Sequence, residues 1–266
     1  MFPRILHIYG PLWVNGYGLM IGLGLLIFVF LTYNHPWRKR LLGGEEYLNI
    51  LFIGFLAAVF GGRLLFVAFN WQSFDQNYFE ICYPWVGGFS LFGSILVVLF
   101  VVSLYLKKLS VRVLPFFDLI ALHIPLLQAV ARIGCFLAGC CYGVCAPSNL
   151  PWAVTFTNPY GLAPLGIALH PAQLYSVGAS LLIFIFLQIL VKKRTFYHGA
   201  ILFVYLMFES VARFVVDFYR ADRDLLDQAK LAFLPEAISL QQLLVSIVFF
   251  GSLAALIALT MKSRKR

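Results

Sequence analysis

Seven long apolar runs stand out along the chain, at about 13–34, 47–69, 88–106, 116–142, 171–191, 199–219 and 237–261, each bounded by charge or by Gly, Pro and Asn. A helix needs about 20 such residues to cross a hydrocarbon core. The pattern therefore predicts an all-α polytopic membrane protein of about seven spans, with residues 1–266 as one transmembrane domain. The first run is too long for a signal peptide and has no small-residue cleavage site before a polar mature chain, so it reads as an anchor. One long connection, 143–170, has no charged residue but contains Trp152, Phe156 and Tyr160. A connection of that length usually has a task, and aromatic side chains favour the membrane–water interface. It is expected to form an outer-face arm over a cavity mouth, with an interfacial plug as the plainer alternative.

Composition narrows the class. Hydrophobic residues make up 62% of the chain and charged ones 12%, where a soluble domain has about 25% charged. A soluble fold would lack the polar residues to cover itself. Five Cys in 266 residues are too sparse for a disulfide scaffold, and 27 Phe, 13 Tyr and 5 Trp exclude disorder.

Charge sets the expected orientation. Arg38–Arg40, Lys107, Lys108, Arg112, Lys192–Arg194, Lys262 and Arg264–Arg266 all fall on one side of the seven-span pattern, 13 of the 20 basic residues. By the positive-inside rule that side is the cytoplasm, with the N-terminus outside and the C-terminus inside. The net charge of +9 then reflects topology and anionic lipid headgroups, with no nucleic-acid partner.

Three arginines remain inside the runs: Arg63, Arg132 and Arg213. Each costs about 2.5–3.5 kcal/mol at mid-membrane if unpaired, so they must face a polar interior. In the predicted topology all three lie in the outer half. They either pair with buried acids as helix glue, through Asp118, Glu209 and Asp217, or line a cavity for an anion, whose oxygens a guanidinium binds bidentately. Glu209, Arg213, Asp217 and Arg220 share one helical face, so the two acids are expected to orient Arg213. Arg132, Cys135, Gly139 and Gly143 share another face, whose small residues leave room beside the arginine. His170-Pro171-Ala172-Gln173-Leu174-Tyr175 opens the fifth run, with Pro suited to a helix start and the partly positive helix end suited to an anion.

Cys135, Cys140, Cys141 and Cys145 lack the Cys-x-x-Cys pairs of zinc sites, so no metal is expected. Small buried residues are the simplest reading, with a disulfide among Cys140, Cys141 and Cys145 left open.

Taken together, Tyr17-Gly18-Leu19-Met20, Gly61-Gly62-Arg63, Gly87-Gly88-Phe89-Ser90, Asp118, Ala131-Arg132-Ile133-Gly134-Cys135-Phe136 closing at Gly143, His170-Pro171-x-Gln173-Leu174-Tyr175 and Arg213-x-x-x-Asp217-x-x-Arg220 resemble, in order, the motifs of the bacterial prolipoprotein diacylglyceryl transferases. The resemblance covers most of the chain. It departs at Phe92, where the family often has His; at Cys135 and Cys140, where it has Asn and Glu; at Ser176, where it has Glu; and at Asp217, a frequent Glu.

The resemblance implies a multi-pass enzyme of the bacterial cytoplasmic membrane, without a cofactor. It would move the diacylglyceryl group of phosphatidylglycerol to the lipobox cysteine of a prolipoprotein signal peptide. A weakly basic phosphodiester leaving group needs charge stabilisation, the task for Arg132 and Arg213. Arg63, Arg132, Gln173, Gly143 and Arg220 would hold the lipid. His170 and Tyr17 are the candidates for handling the thiol proton, since only a few per cent of a free thiol is ionised near neutrality. The plainer reading of His170 is a helix-entry residue that hydrogen-bonds the arm loop or contacts the headgroup. His123 lies deeper, about two and a half turns before Arg132. Two other functions fit the arginines. A transporter or channel for an anionic solute would bring internal repeats and polar inner halves, and neither is visible. A family member that only binds lipid or peptide is the other.

Overall fold

The computed structural model describes residues 4–9, 12–74, 81, 88–147, 149–193, 197–223 and 238–264. Among these are eight α-helices: α1 (Gly16–Asn34), α2 (Pro36–Leu41), α3 (Gly44–Phe69), α4 (Leu91–Lys108), α5 (Val113–Ala138), α6 (Ala172–Lys193), α7 (Ala200–Asp217) and α8 (Leu240–Arg264). Six of them, α1, α3, α4, α5, α6 and α8, are long and apolar enough to cross a membrane. The remaining long helix, α7, carries Glu209, Arg213 and Asp217 within 18 residues. Short α2 was not expected; Pro36 sits at its first turn and His35 Nδ1 accepts from Trp37 N–H at 3.2 Å. Two small ladders were also not expected. Residues Arg4–Tyr9 (β1) pair antiparallel with Leu12–Asn15 (β2), and Val154–Thr155 (β3) with Ala168–Leu169 (β4).

The chain divides into two compact units, Met1–Thr32 with Phe117–Arg266, and Tyr33–Phe116. In the second, α3 and α4 pack through glycines. A Cβ on Gly61 would stand 2.6 Å from the Gly93 carbonyl oxygen, and one on Gly62 would stand 2.5 Å from Ser94 Oγ. Ser94 Oγ donates to the Ala58 carbonyl at 2.8 Å and Ser90 N to that of Gly62 at 3.0 Å. Gly61, Gly62 and Gly93 therefore serve close approach of α3 and α4, as small residues do between membrane helices.

In the first unit α5 is central. Of its apolar window 56% is buried, against 6% for that of α8. Gly24 on α1 leaves room for Leu127, and Gly134 on α5 lies against the Tyr17 backbone. Asp118 accepts from the N–H groups of Gly199 and Leu202 at 2.5 and 2.8 Å. It caps the start of α7 with a carboxylate where the helix dipole is positive. Asp118 is thus not an orienting acid for the arginines. It lies 14 residues before Arg132, about 21 Å away along α5.

The junction of α7 and α8 is polar and buried. Ser239 and Gln242 form a reciprocal capping box: Gln242 N donates to Ser239 Oγ at 3.0 Å and Ser239 N to Gln242 Oε1 at 3.1 Å. Asp217 accepts from Ser239 Oγ at 2.6 Å and from Arg223 Nε at 3.3 Å.

Candidate functional site

The site begins with α7. Arg213 Nε donates to Glu209 Oε1 at 2.6 Å, and Gln128 Nε2 donates to the same oxygen at 3.2 Å. Helical side chains lean toward the helix N-terminus, so Arg213 reaches back to Glu209 one turn earlier. Asp217, expected to share the task, lies one turn the other way and holds Ser239 and Arg223 instead.

Arg132 on α5 and Arg220 after α7 join Arg213 around a cleft with about 390 Å³ of empty space. Glu209, Gln128, Ser176, Ser180 and Gln241 complete its polar lining. Three guanidiniums face one carboxylate there. Arg220 is held by both oxygens of Asp222, at 2.9 and 2.7 Å, which pushes its pKa higher still. No carboxylate is in ion-pair contact with Arg132 among the described residues. The cleft thus has a positive excess centred on a fork-shaped cation, the arrangement that receives a phosphate oxygen pair. Gln128 Oε1 is buried without a donor among the described residues.

Beside the cleft lies a wider, mainly apolar groove with about 1270 Å³ of empty space, which shares Ala179, Ala212 and Val216 with it. Trp152, His170, Tyr175 and Tyr219 line this groove. Trp152 Nε1 donates to the Tyr175 hydroxyl at 2.9 Å, and His170 Nδ1 lies 3.1 Å from the same oxygen. His170 therefore stands on the groove wall, not in the lining of the arginine cleft.

Gly143 is where three chain segments cross. It bridges to Arg220, Val144 N donates to the Tyr219 carbonyl at 3.0 Å, and His170 N donates to that of Val144 at 2.9 Å. A Cβ on Gly143 would overlap the His170 carbonyl oxygen and stand 2.7 Å from that of Tyr219. Gly143 thus fixes Arg220 and His170 by close approach. Phe156, Ala163 and Leu169 give the 143–170 connection a small core of its own.

The turn after α5 collects thiols. Gly139, at φ 74°, ends the helix, with Gly139 N donating to the Phe136 carbonyl at 3.3 Å and Cys140 N to that of Cys135 at 3.1 Å. This is a Schellman cap, which sets the residue after the glycine over the residue four before it, here Cys140 over Cys135. Cys141 follows at φ 54°, a left-handed conformation uncommon for a non-glycine. The Sγ atoms of Cys135, Cys140 and Cys141 all lie within 4.8 Å of one another. Hydrogen bonds from Cys135 and Cys140 hold the Cys141 thiol well below the usual range, while Cys135 and Cys141 push Cys140 up. The four described cysteines are free thiols; Cys82 lies outside the described residues. Gln173 Nε2 donates to the Cys140 carbonyl at 2.8 Å, and its buried Oε1 has no donor among the described residues. Tyr17 is within electrostatic reach of the three thiols and of Arg132.

Arg63 belongs to the other unit. Its Nε and one terminal nitrogen donate to the carbonyls of Ile81 and Gly88, each at 3.1 Å, and its guanidinium lies over Phe66 and Phe74. Expected to bind lipid, it spends these groups on backbone. Phe92 is half exposed. His123 is buried on α5, with Nδ1 3.0 Å from the Leu119 carbonyl.

Sequence reasoning missed Gln128, Ser176, Ser180 and Gln241. A signal existed for three of them: Gln128 lies one turn before Arg132, and Ser176 and Ser180 continue the helical face of Gln173.

Comparison with known proteins adds a family relationship. The family model for prolipoprotein diacylglyceryl transferase matches residues 3–258. A phosphatidylglycerol–prolipoprotein diacylglyceryl transferase of Clostridium tetani is 36% identical over 223 residues, 84% of this chain and 86% of the relative. One of Dechloromonas aromatica is 32% identical over 253 residues, covering 92% and 93%. Another, of Bordetella avium, is 31% identical over 263 residues, covering 97% and 94%.

Proposed function

Because the chain belongs to the prolipoprotein diacylglyceryl transferase family, we propose that it transfers the diacylglyceryl group of phosphatidylglycerol to the lipobox cysteine of a prolipoprotein. The observation that supports this reading best is the uncompensated Arg132 in a cleft continuous with an apolar groove. The phosphodiester sits against Arg132, with Arg213 and Arg220 beside it, and the acyl chains run along the groove. Gln128 Oε1 accepts from a glycerol hydroxyl.

In the reaction the substrate sulfur attacks the saturated glycerol carbon that bears the phosphodiester oxygen. The S–C bond forms and the C–O bond breaks. The electron pair leaves on the oxygen of glycerol phosphate. The arginines stabilise charge that grows on that group, and interactions of this type are worth about 10²–10³ in rate each. His170 takes the thiol proton. In its base-competent tautomer Nδ1–H donates to Tyr175 and Nε2 bears the lone pair, so Tyr175 orients the base. Glu209 orients Arg213, and Gly143 sets the crossing that places Arg220 and His170.

The proposed setting is the bacterial cytoplasmic membrane, with the N-terminus outside, the C-terminus inside and the 143–170 arm over the outer mouth of the site. The deciding experiment supplies the full chain in detergent with phosphatidylglycerol and a lipobox peptide. A thioether-linked diacylglyceryl peptide is expected by mass. Its absence, where a family relative makes product in the same mixture, would refute the assignment.

A further inference from the structure

The reaction needs a thiolate, and an unusual group of thiols lies within electrostatic reach of two of the cleft's arginines. Cys135, Cys140 and Cys141 have sulfur atoms within 4.8 Å of one another. Cys135 feels the field of Arg132, and Cys141 those of Arg132 and Arg220. Both arginines line the cleft.

The geometry suits a metal. Any triangle with sides no longer than 4.8 Å has a point within about 2.8 Å of all three corners, and zinc–thiolate bonds are about 2.3 Å. Closing on an ion would move each sulfur by about half an ångström or less, a side-chain adjustment. Three protein ligands with a fourth position open is the pattern of a catalytic rather than a structural zinc. Sulfur donors select a thiophilic ion over magnesium or calcium. Three thiolates on a divalent ion leave one net negative charge, which Arg132 and Arg220 offset. The cluster also has a structural cause. The Schellman cap stacks Cys140 on Cys135, and the left-handed backbone at Cys141 is the kind of strain that gathers at functional sites.

We propose that Cys135, Cys140 and Cys141 bind one zinc ion whose open fourth position takes the thiol of the incoming lipobox cysteine. This rests on the transferase reading above. The substrate S–H loses its proton to His170 as the sulfur joins the metal. The metal-bound thiolate then attacks the glycerol carbon, and the C–O bond breaks toward the phosphate held by the arginines. Zinc stays divalent throughout, so no oxidant or reductant takes part. A metal-bound thiol is deprotonated at neutral pH, so the site supplies the nucleophile in a chain that has Phe92 where its family often has His.

The test uses the full chain with Cys82→Ser and Cys145→Ser, so that three cysteines remain. It is purified reduced, without oxygen, and titrated with cadmium as a spectroscopic stand-in for zinc. One ion per chain is expected, with a sulfur-to-cadmium absorption for three thiolates. A lipobox peptide should raise that band by about one third, as a fourth thiolate joins; a peptide with serine for cysteine should not. Cys135→Ser, Cys140→Ser and Cys141→Ser should each weaken binding by at least about tenfold, with helix content and elution volume unchanged. Full-strength binding in Cys141→Ser, no response to the peptide, or a disulfide within the trio in the protein isolated without reductant would each overturn the proposal. Activity separates it from the reading beneath it. Full turnover by a rigorously metal-free chain overturns the zinc site and leaves the transferase standing. A chain that binds cadmium through three thiolates but makes no thioether in any metal state sinks the transferase reading, and with it the zinc's role in transfer.

Discussion

Replacing Arg132 with Lys tests the core of the site, because charge is kept while the planar fork is lost. Arg132 is the cleft guanidinium with no carboxylate in ion-pair contact among the described residues, whereas Arg213 is held by Glu209 and Arg220 by Asp222. An arriving phosphodiester therefore finds in Arg132 the least compensated cation. A hydrogen bond to a charged group contributes about 1.5–3 kcal/mol, and losing one of two leaves the Coulomb attraction largely in place. Arg132→Lys should then lower turnover by about 10- to 100-fold, while Arg132→Ala, which also removes the charge, should cost more, about 10³-fold. Arg220→Lys should cost less than Arg132→Lys, since Asp222 already occupies two of the Arg220 donors. The assay follows thioether product by mass at saturating lipid, with elution volume and helix content confirming that each variant still folds. Wild-type turnover in Arg132→Lys, or a larger loss in Arg220→Lys, would refute the assignment of the phosphate to Arg132.

Other substitutions probe the scaffold around that cation. Gly143→Ala should destabilise the chain by several degrees in thermal unfolding, about 1–3 kcal/mol, because its Cβ meets the carbonyls of His170 and Tyr219; an unchanged midpoint would show that the crossing can relax. Ser239→Ala should cost about 1–2 kcal/mol in the same measurement, since it removes a helix cap and the hydroxyl that donates to buried Asp217, yet it should leave the Michaelis constant for lipid unchanged. His170→Gln should slow transfer and flatten its pH profile, and full activity with an unaltered profile would make His170 structural; Phe92→His should not rescue it. A reporter fused after Arg266 should behave as cytoplasmic, and an outside signal there would reverse the proposed orientation.

The helices could be read from residue order because each apolar run satisfies its own backbone hydrogen bonds and needs no distant partner to form. Their ends were legible where one residue decides, as at Pro36 or Gly199. One was missed although its cap is local: α5 was expected to run to 142 but stops at Ala138, where Gly139 turns left-handed. The cleft was partly legible. Arg132 and Arg213 were found because charge is costly in an apolar span, and Glu209 and Arg220 because they share a helical face with Arg213. The backbone and hydroxyl partners of Asp118, Asp217 and Arg63 were not, since each comes from another segment. Such groups occur at every position and leave no mark in the sequence.

The cysteines show the division most sharply. Their spacing argued against a metal because the familiar zinc signature is a knuckle of Cys-x-x-Cys, and Cys-x-x-x-x-Cys-Cys is not one. On a continuing helix Cys135, Cys140 and Cys141 would spread round the axis at about 100° per residue. They converge because the helix ends between them, and Gly139 and Cys141 both take positive φ. Residue order determined the spans, the bias of basic residues and the costly arginines, since each is a property of one segment against its solvent. Tertiary structure alone decided which acid holds which base, which histidine nitrogen faces Tyr175, and that three thiols meet within the field of two guanidiniums. Those are pairings between segments, and their energies depend on distance in space rather than on separation along the chain.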